Sequence, residues 1–234
     1  MAYAGLKAPP GLNLIAVTAS MFLILVVLGR GILGKPLGAL INDQNVMSLS
    51  RLQLAVWTVV VGASYFTYAA VRIHVGATDP LNVEIDWHLW ALMGISTTSF
   101  VGTSLIHDQK QDTDPEATVV EKTAGATGEN KADVDYNSQG LLYVNPSKED
   151  ARFTDIFQGD ELGNTTHIDL GKVQMFFFTL ISALVFLAVV YKSLRNPASG
   201  LASLPVLPEG LLAILGISHA GFLANQGINH TPTA

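Results

Sequence analysis

The chain has 234 residues, 49% of them apolar and only 14% charged, with a mean hydropathy of +0.37. Soluble domains carry about 25% charged residues to solvate their surface, so an ordinary soluble enzyme is excluded, and thirteen basic against nineteen acidic side chains leave no basic face for nucleic acid. The absence of cysteine removes disulfides, thiolate metal sites and cysteine nucleophiles together.

The formal charge of −6 is unevenly placed. Residues 107–169 hold fourteen acids and five bases, giving −9, while the other 171 residues hold five acids and eight bases, giving +3. A helix needs about 20 apolar residues to cross a hydrocarbon core near 30 Å, at 1.5 Å per residue. Asn13 to Gly34 meets this if Arg30 snorkels to the interface. With only Lys7 as a preceding cation and no small-x-small cleavage site after it, the run reads as a retained anchor, not a signal peptide. Leu52 to Ile73 predicts a second span, with Trp57, Tyr65 and Tyr68 placed toward the interfaces. Leu89 to Ile106 predicts a third, Val173 to Leu194 a fourth and Leu211 to Ile228 a fifth. The third and fifth are only just long enough to span, so a buried or re-entrant helix stays open for each. The expected fold is an all-α integral membrane helical bundle of four or five spans.

Between the third and fourth spans, residues 107–148 combine low hydrophobicity, many acids and no period, which predicts disorder. Phe153, Ile156 and Phe157 stand at i, i+3, i+4, predicting a short amphipathic helix within 149–158 that docks on the membrane surface, on the bundle or on a partner. The chain thus divides into an anchor helix and connector over 1–46, a first repeat copy over 47–106, an acidic flexible loop over 107–166, and a second copy with a C-terminal tail over 167–234.

The repeat rests on two matched blocks. Arg51-Leu-Gln53 with Thr58 parallels Lys172-Val-Gln174 with Thr179, and Gly94-Ile95-Ser96 with Phe100 parallels Gly216-Ile217-Ser218 with Phe222. Gly94, Thr98 and Gly102 lie four apart, as do Gly216, Ala220 and Ala224. Such rows let membrane helices approach closely, and they line either a packing face or a pore. The two signatures, a basic-x-Gln-led span and a Gly-Ile-Ser helix ending in Gly-Ile-Ser-His219-Ala-Gly-Phe, resemble those of an uncharacterised family of bacterial multi-span membrane proteins. That resemblance covers Leu49 to Ile106 and Ala151 to Thr233, and implies a bacterial-type membrane location without an activity.

Among candidate chemical groups, His219 lies inside the last apolar block, where an ionisable residue is costly. Its counterpart is Thr97, so no symmetric ligand pair forms, and a neutral ring bonded to a carbonyl or to Ser218 is expected. Gln53 and Gln174, with Ser96 and Ser218, are the other intramembrane polar candidates; the two amides must find partners across helices. His167 and Asp169 are too few for a metal site. Asp133-x-Asp135-x-Asn137 opens like a calcium loop, but Ser138 replaces the turn glycine and Val144 the closing glutamate. No metal, cofactor or catalytic set is expected: Ser-His-Asp, phosphate-loop, HExxH and dinucleotide patterns are missing from the sequence.

The first functional expectation is a non-enzymatic membrane scaffold or anchor subunit, assembling through its small-residue faces with further copies or a larger membrane complex. The alternative is a homo-oligomeric channel or small-solute transporter. Arg30, Lys35, Arg51, Lys110 and Lys172 on the loop side outnumber Lys7, Arg72, Lys192 and Arg195, which places the acidic loop in the cytoplasm of a bacterial inner membrane.

Overall fold

The computed structural model describes residues 9–195 and 201–234; Lys7, one of the cations weighed above, lies outside them. The described residues form α1 (Pro10–Leu33), α2 (Leu49–His74), α3 (Trp87–Gln111), α4 (Ala117–Thr127), α5 (Lys131–Asn137), α6 (Leu170–Leu194) and α7 (Glu209–Gly227), with isolated bridges but no strand. Helices α1, α2, α3 and α6 have 24 to 26 residues and are apolar enough to cross a membrane. At 1.5 Å per residue they reach about 36–39 Å, beyond a hydrocarbon core near 30 Å. Helix α7 has 19 residues, reaches about 28 Å and is not among the four.

Local chemistry sets the helix ends. Pro10 opens α1 where no intrahelical N–H is needed, and Gly34 stops it at φ 74° with its N–H on the Arg30 carbonyl. The chain then turns back so tightly that Gly29 and Gly38 meet backbone to backbone: a Cβ on Gly38 would stand 2.6 Å from the Gly29 carbonyl oxygen. Asp86 and Asp169 cap α3 and α6, their carboxylates accepting from the backbone N–H of His88 and Lys172.

Helices α2, α3, α7 and α6 close a four-membered ring, each packed on the next, and α1 lies outside it against α2 and α6. Most of α1 is therefore bare, with Phe22, Leu23, Ile24, Val27, Leu28 and Ile32 exposed for lipid. Trp57 and Tyr68, expected at the interfaces, are instead buried in the ring's apolar core with Leu89, Leu92, Phe186 and Leu215. Opposite ends of the ring differ. The starts of α2 and α6 and the ends of α3 and α7 share one end, where Ser50 meets Thr103 and Asp169 meets Asn225. There the acidic segment builds a polar cap; at the other, open end, Glu84 and Ser203 pair between short connectors.

The cap corrects the expectation of a disordered loop over 107–148. Helix α3 runs on through His107 and Lys110 to Gln111, and α4 and α5 follow. Val119, Val120, Ala124, Val134 and Leu162 form a small core of their own, and Leu141 and Leu142 are fully buried. Average composition hid this because the few apolar residues of the segment are nearly all used. The expected helix at 149–158 is two 3-10 turns, Lys148–Asp150 and Phe153–Phe157. Ile156 is buried, and the rings of Phe153 and Phe157 pack edge-on to Phe176 of α6, so this segment docks on its own bundle, with Phe153 still 44% exposed.

Candidate functional site

Polar side chains gather at two levels of the molecule. The first is a layer inside the ring. His219 of α7 is 2% exposed and Gln53 of α2 is 1% exposed. The Gln53 amide nitrogen donates to Thr179 Oγ1 of α6 at 2.7 Å and lies 3.3 Å from His219 Nε2, while His219 Nδ1 is 2.6 Å from Ser99 Oγ of α3. An amide N–H can only donate, so Nε2 accepts, Nδ1 carries the proton and gives it to Ser99, and the ring is neutral. Four helices are thereby tied at one depth, α7 to α2 and α3 by the imidazole and α2 to α6 by the Gln53 amide. Its partners are Ser99 and Gln53, not the neighbouring Ser218.

Three or four residues further toward the open end, each helix contributes another fully buried side chain: Trp57, Ser96, Ser182 and Leu215. Trp57 Nε1, Ser96 Oγ, Ser182 Oγ and the Gln53 Oε1 above them have no hydrogen-bond partner. These are two donor-acceptor hydroxyls, one donor and one acceptor, buried polar groups of the kind that water satisfies.

The supposed symmetry of the copies fails at the amides. Gln174 is exposed on the outer face of α6, although Gln53 is buried. Conversely Lys172 is buried whereas its counterpart Arg51 is half-buried. Helix α6 is apolar on all sides, so no periodicity in the sequence says which face turns inward. The small-residue rows divide as well. Gly102 faces Leu223 and Gly216 faces Ile95, giving close α3–α7 packing, but Gly94, Thr98, Ala220 and Ala224 point outward.

The second level joins cap to bundle and escaped the sequence reading. Lys110, near the end of α3, donates to Glu161 Oε1 at 2.5 Å and to the Ile228 carbonyl at 2.8 Å. Glu161 Oε2 accepts from the backbone N–H of His230 and Thr231, threading the C-terminal tail into the cap. Next to it, Asp160 pairs with Lys172 Nζ at 2.7 Å and lies 3.7 Å from His107 Nε2, whose other ring nitrogen accepts from Gln44 Nε2 at 3.1 Å. Burial by itself would raise the Asp160 carboxyl; the Lys172 ammonium and the His107 ring outweigh it and hold Asp160 well below the usual carboxylate range. The signal available beforehand was the adjacent acid pair Asp160-Glu161 set against lysines at two helix ends.

His167 is exposed, and Asp169 is occupied as the α6 N-cap, where its other oxygen accepts from Asn225. No group of three or more metal-ligating side chains occurs among the described residues. No family model matches the chain, and no curated protein or solved structure matches it either.

Proposed function

We propose that this protein is a non-enzymatic integral membrane scaffold or anchor subunit that assembles laterally through the outward face of α3 and α7. The observation that carries the reading is the exposure of Gly94, Thr98, Ala220 and Ala224 on two adjacent helices, with no element among the described residues over them. A Cβ at Gly94 would meet nothing within 4 Å, so this small residue serves no packing among the described residues. In lipid, such a surface gains by admitting another helix backbone closely. The face opposite, on α2 and α6, is taken by α1.

Gly94→Leu combined with Ala220→Leu tests this. Both positions are open, so the bundle folds normally, while the mass of the detergent-extracted particle falls to that of the single chain. An unchanged mass, or a wild-type particle that is already a single chain, sinks the proposal. The alternative, a homo-oligomeric channel, draws support from Thr97, Thr98 and Ser104, hydroxyl residues exposed along α3. Conductance in planar bilayers that vanishes in the same double variant would favour it.

On the same reading the cap lies in the cytoplasm of a bacterial inner membrane, which the balance of flanking cations supports. Tyr136 on α5 is 89% exposed, and Tyr136→Cys gives this cysteine-free chain one labelling position. Reaction with an impermeant maleimide in intact spheroplasts would reverse that placement.

A further inference from the structure

An apolar groove of about 370 Å³ opens sideways between α1 and α2, walled by Met21, Ile24 and Leu25 and floored by Leu54, Ala55 and Val59. From Arg51 to Val59 it follows α2 for eight residue-to-residue rises, about 12 Å at 1.5 Å each, nearly half of a hydrocarbon core near 30 Å. At its cap end the Arg51 guanidinium sits over the Phe100 ring, 5.8 Å from the centroid. Both residues also line the polar cleft that continues beyond the groove, in company with Asp43 and Asp108.

Among the described residues, Arg51 has no carboxylate and Asp43 and Asp108 have no cation within ion-pair distance. The order of Arg51 and Asp108 along the molecule is fixed by α3. Thr103 is level with Ser50, at 3.1 Å, and hence with Arg51 beside it; Asp108 stands five residues further, about 7–8 Å nearer the cap. From the membrane centre outward the lining therefore reads apolar, cationic, anionic.

A zwitterionic phospholipid reads the complement: acyl chain, phosphate, ammonium. We propose that groove and cleft together hold one phosphatidylethanolamine-type lipid, with an acyl chain along Leu54 to Val59, its phosphate on Arg51 and its primary ammonium on Asp43 and Asp108. The guanidinium fork matches phosphate oxygens, and stacking on Phe100 orients it. A primary ammonium brings three N–H donors to the carboxylates, which a quaternary choline lacks. An uncharged glycerol headgroup brings no counter-charge to them.

The test is native mass spectrometry of the full chain in detergent, titrated with dioleoyl phosphatidylethanolamine, phosphatidylcholine or phosphatidylglycerol. The ethanolamine lipid is expected to bind about tenfold more tightly than the other two, a gap of about 1.4 kcal/mol. Arg51→Gln weakens it by at least that factor. Asp43→Asn with Asp108→Asn removes the preference over phosphatidylglycerol while leaving phosphatidylglycerol bound. Ala55→Phe fills the groove and lowers lipid binding independently of the charges, which keeps the test decisive should Arg51→Gln misfold. Equal binding of the choline and ethanolamine lipids, or undiminished binding in Ala55→Phe, overturns the proposal. So does displacement of the lipid by equimolar soluble phosphoethanolamine, which would mean that a headgroup alone is read.

Discussion

Replacing Glu161 by Gln isolates the buried charge at the junction of cap and bundle. One carboxylate oxygen takes the Lys110 ammonium at 2.5 Å, and the other takes the His230 and Thr231 N–H groups at 2.8 and 2.7 Å. The side chains of Lys110 and Glu161 are 5% and 2% exposed, so solvent does not screen the pair. Gln keeps the shape and one carbonyl oxygen but leaves the ammonium without its counter-ion, and one-sided removal of a buried pair costs about 3–5 kcal/mol. At about 1.4 kcal/mol per factor of ten, opening of the tail becomes between a hundredfold and a few thousandfold more frequent. Amide hydrogen exchange read by mass spectrometry over residues 228–234 reports this directly, with α6 peptides as the internal reference. Protection of the tail should fall by that factor while α6 is unchanged. Adding Lys110→Met to Glu161→Gln should restore part of the protection, because the stranded charge is gone. Unaltered exchange at His230 and Thr231 in Glu161→Gln would refute the assignment of this pair as the clasp of the cap.

Three further outcomes follow from the same geometry. Because the folded-state pKa of Asp160 is depressed, its contribution is fully present above the unfolded value of about 3.9 and is lost as pH falls from there through the folded value. Pepsin cleavage of the cap should rise across that acid window in the native chain, whereas Asp160→Asn is cleaved more readily throughout and loses the acid limb; coincident profiles would remove the linkage. Gln53→Leu strands His219 Nε2 and should lower thermal stability in detergent by about 1–3 kcal/mol, while Gln174→Leu, on the outer face, stays within about 0.5 kcal/mol. Equal losses would reinstate the symmetric pair. Gly38→Ala drives a methyl into the Gly29 backbone and should cost about 1–3 kcal/mol, loosening α1. Gly31→Ala, with nothing within 4 Å, serves as the neutral control, and oxidative cross-linking of Met21→Cys to Gly62→Cys measures both.

The sequence by itself determined the membrane character, the existence of every long helix and several of their ends. Those features are local: an apolar run of sufficient length, a glycine at Gly34 able to take φ 74°, an aspartate before α3 and α6. It also singled out Gln53, Ser96 and His219 as costly groups in an apolar setting, and all three are buried. The tertiary structure alone decided which polar groups meet. Gln53 finds His219 across 166 residues and Lys110 finds Glu161 across 51, and no periodicity carries pairings of that separation. The same holds for facing: α6 is apolar all round, so only its neighbours turn Lys172 inward and Gln174 outward. The acidic segment shows the point most plainly. Its composition is that of a chain unable to bury enough surface alone, yet it folds, because Lys110 and Lys172 at the bundle's end pair with Glu161 and Asp160 while its few apolar residues gather into one small core.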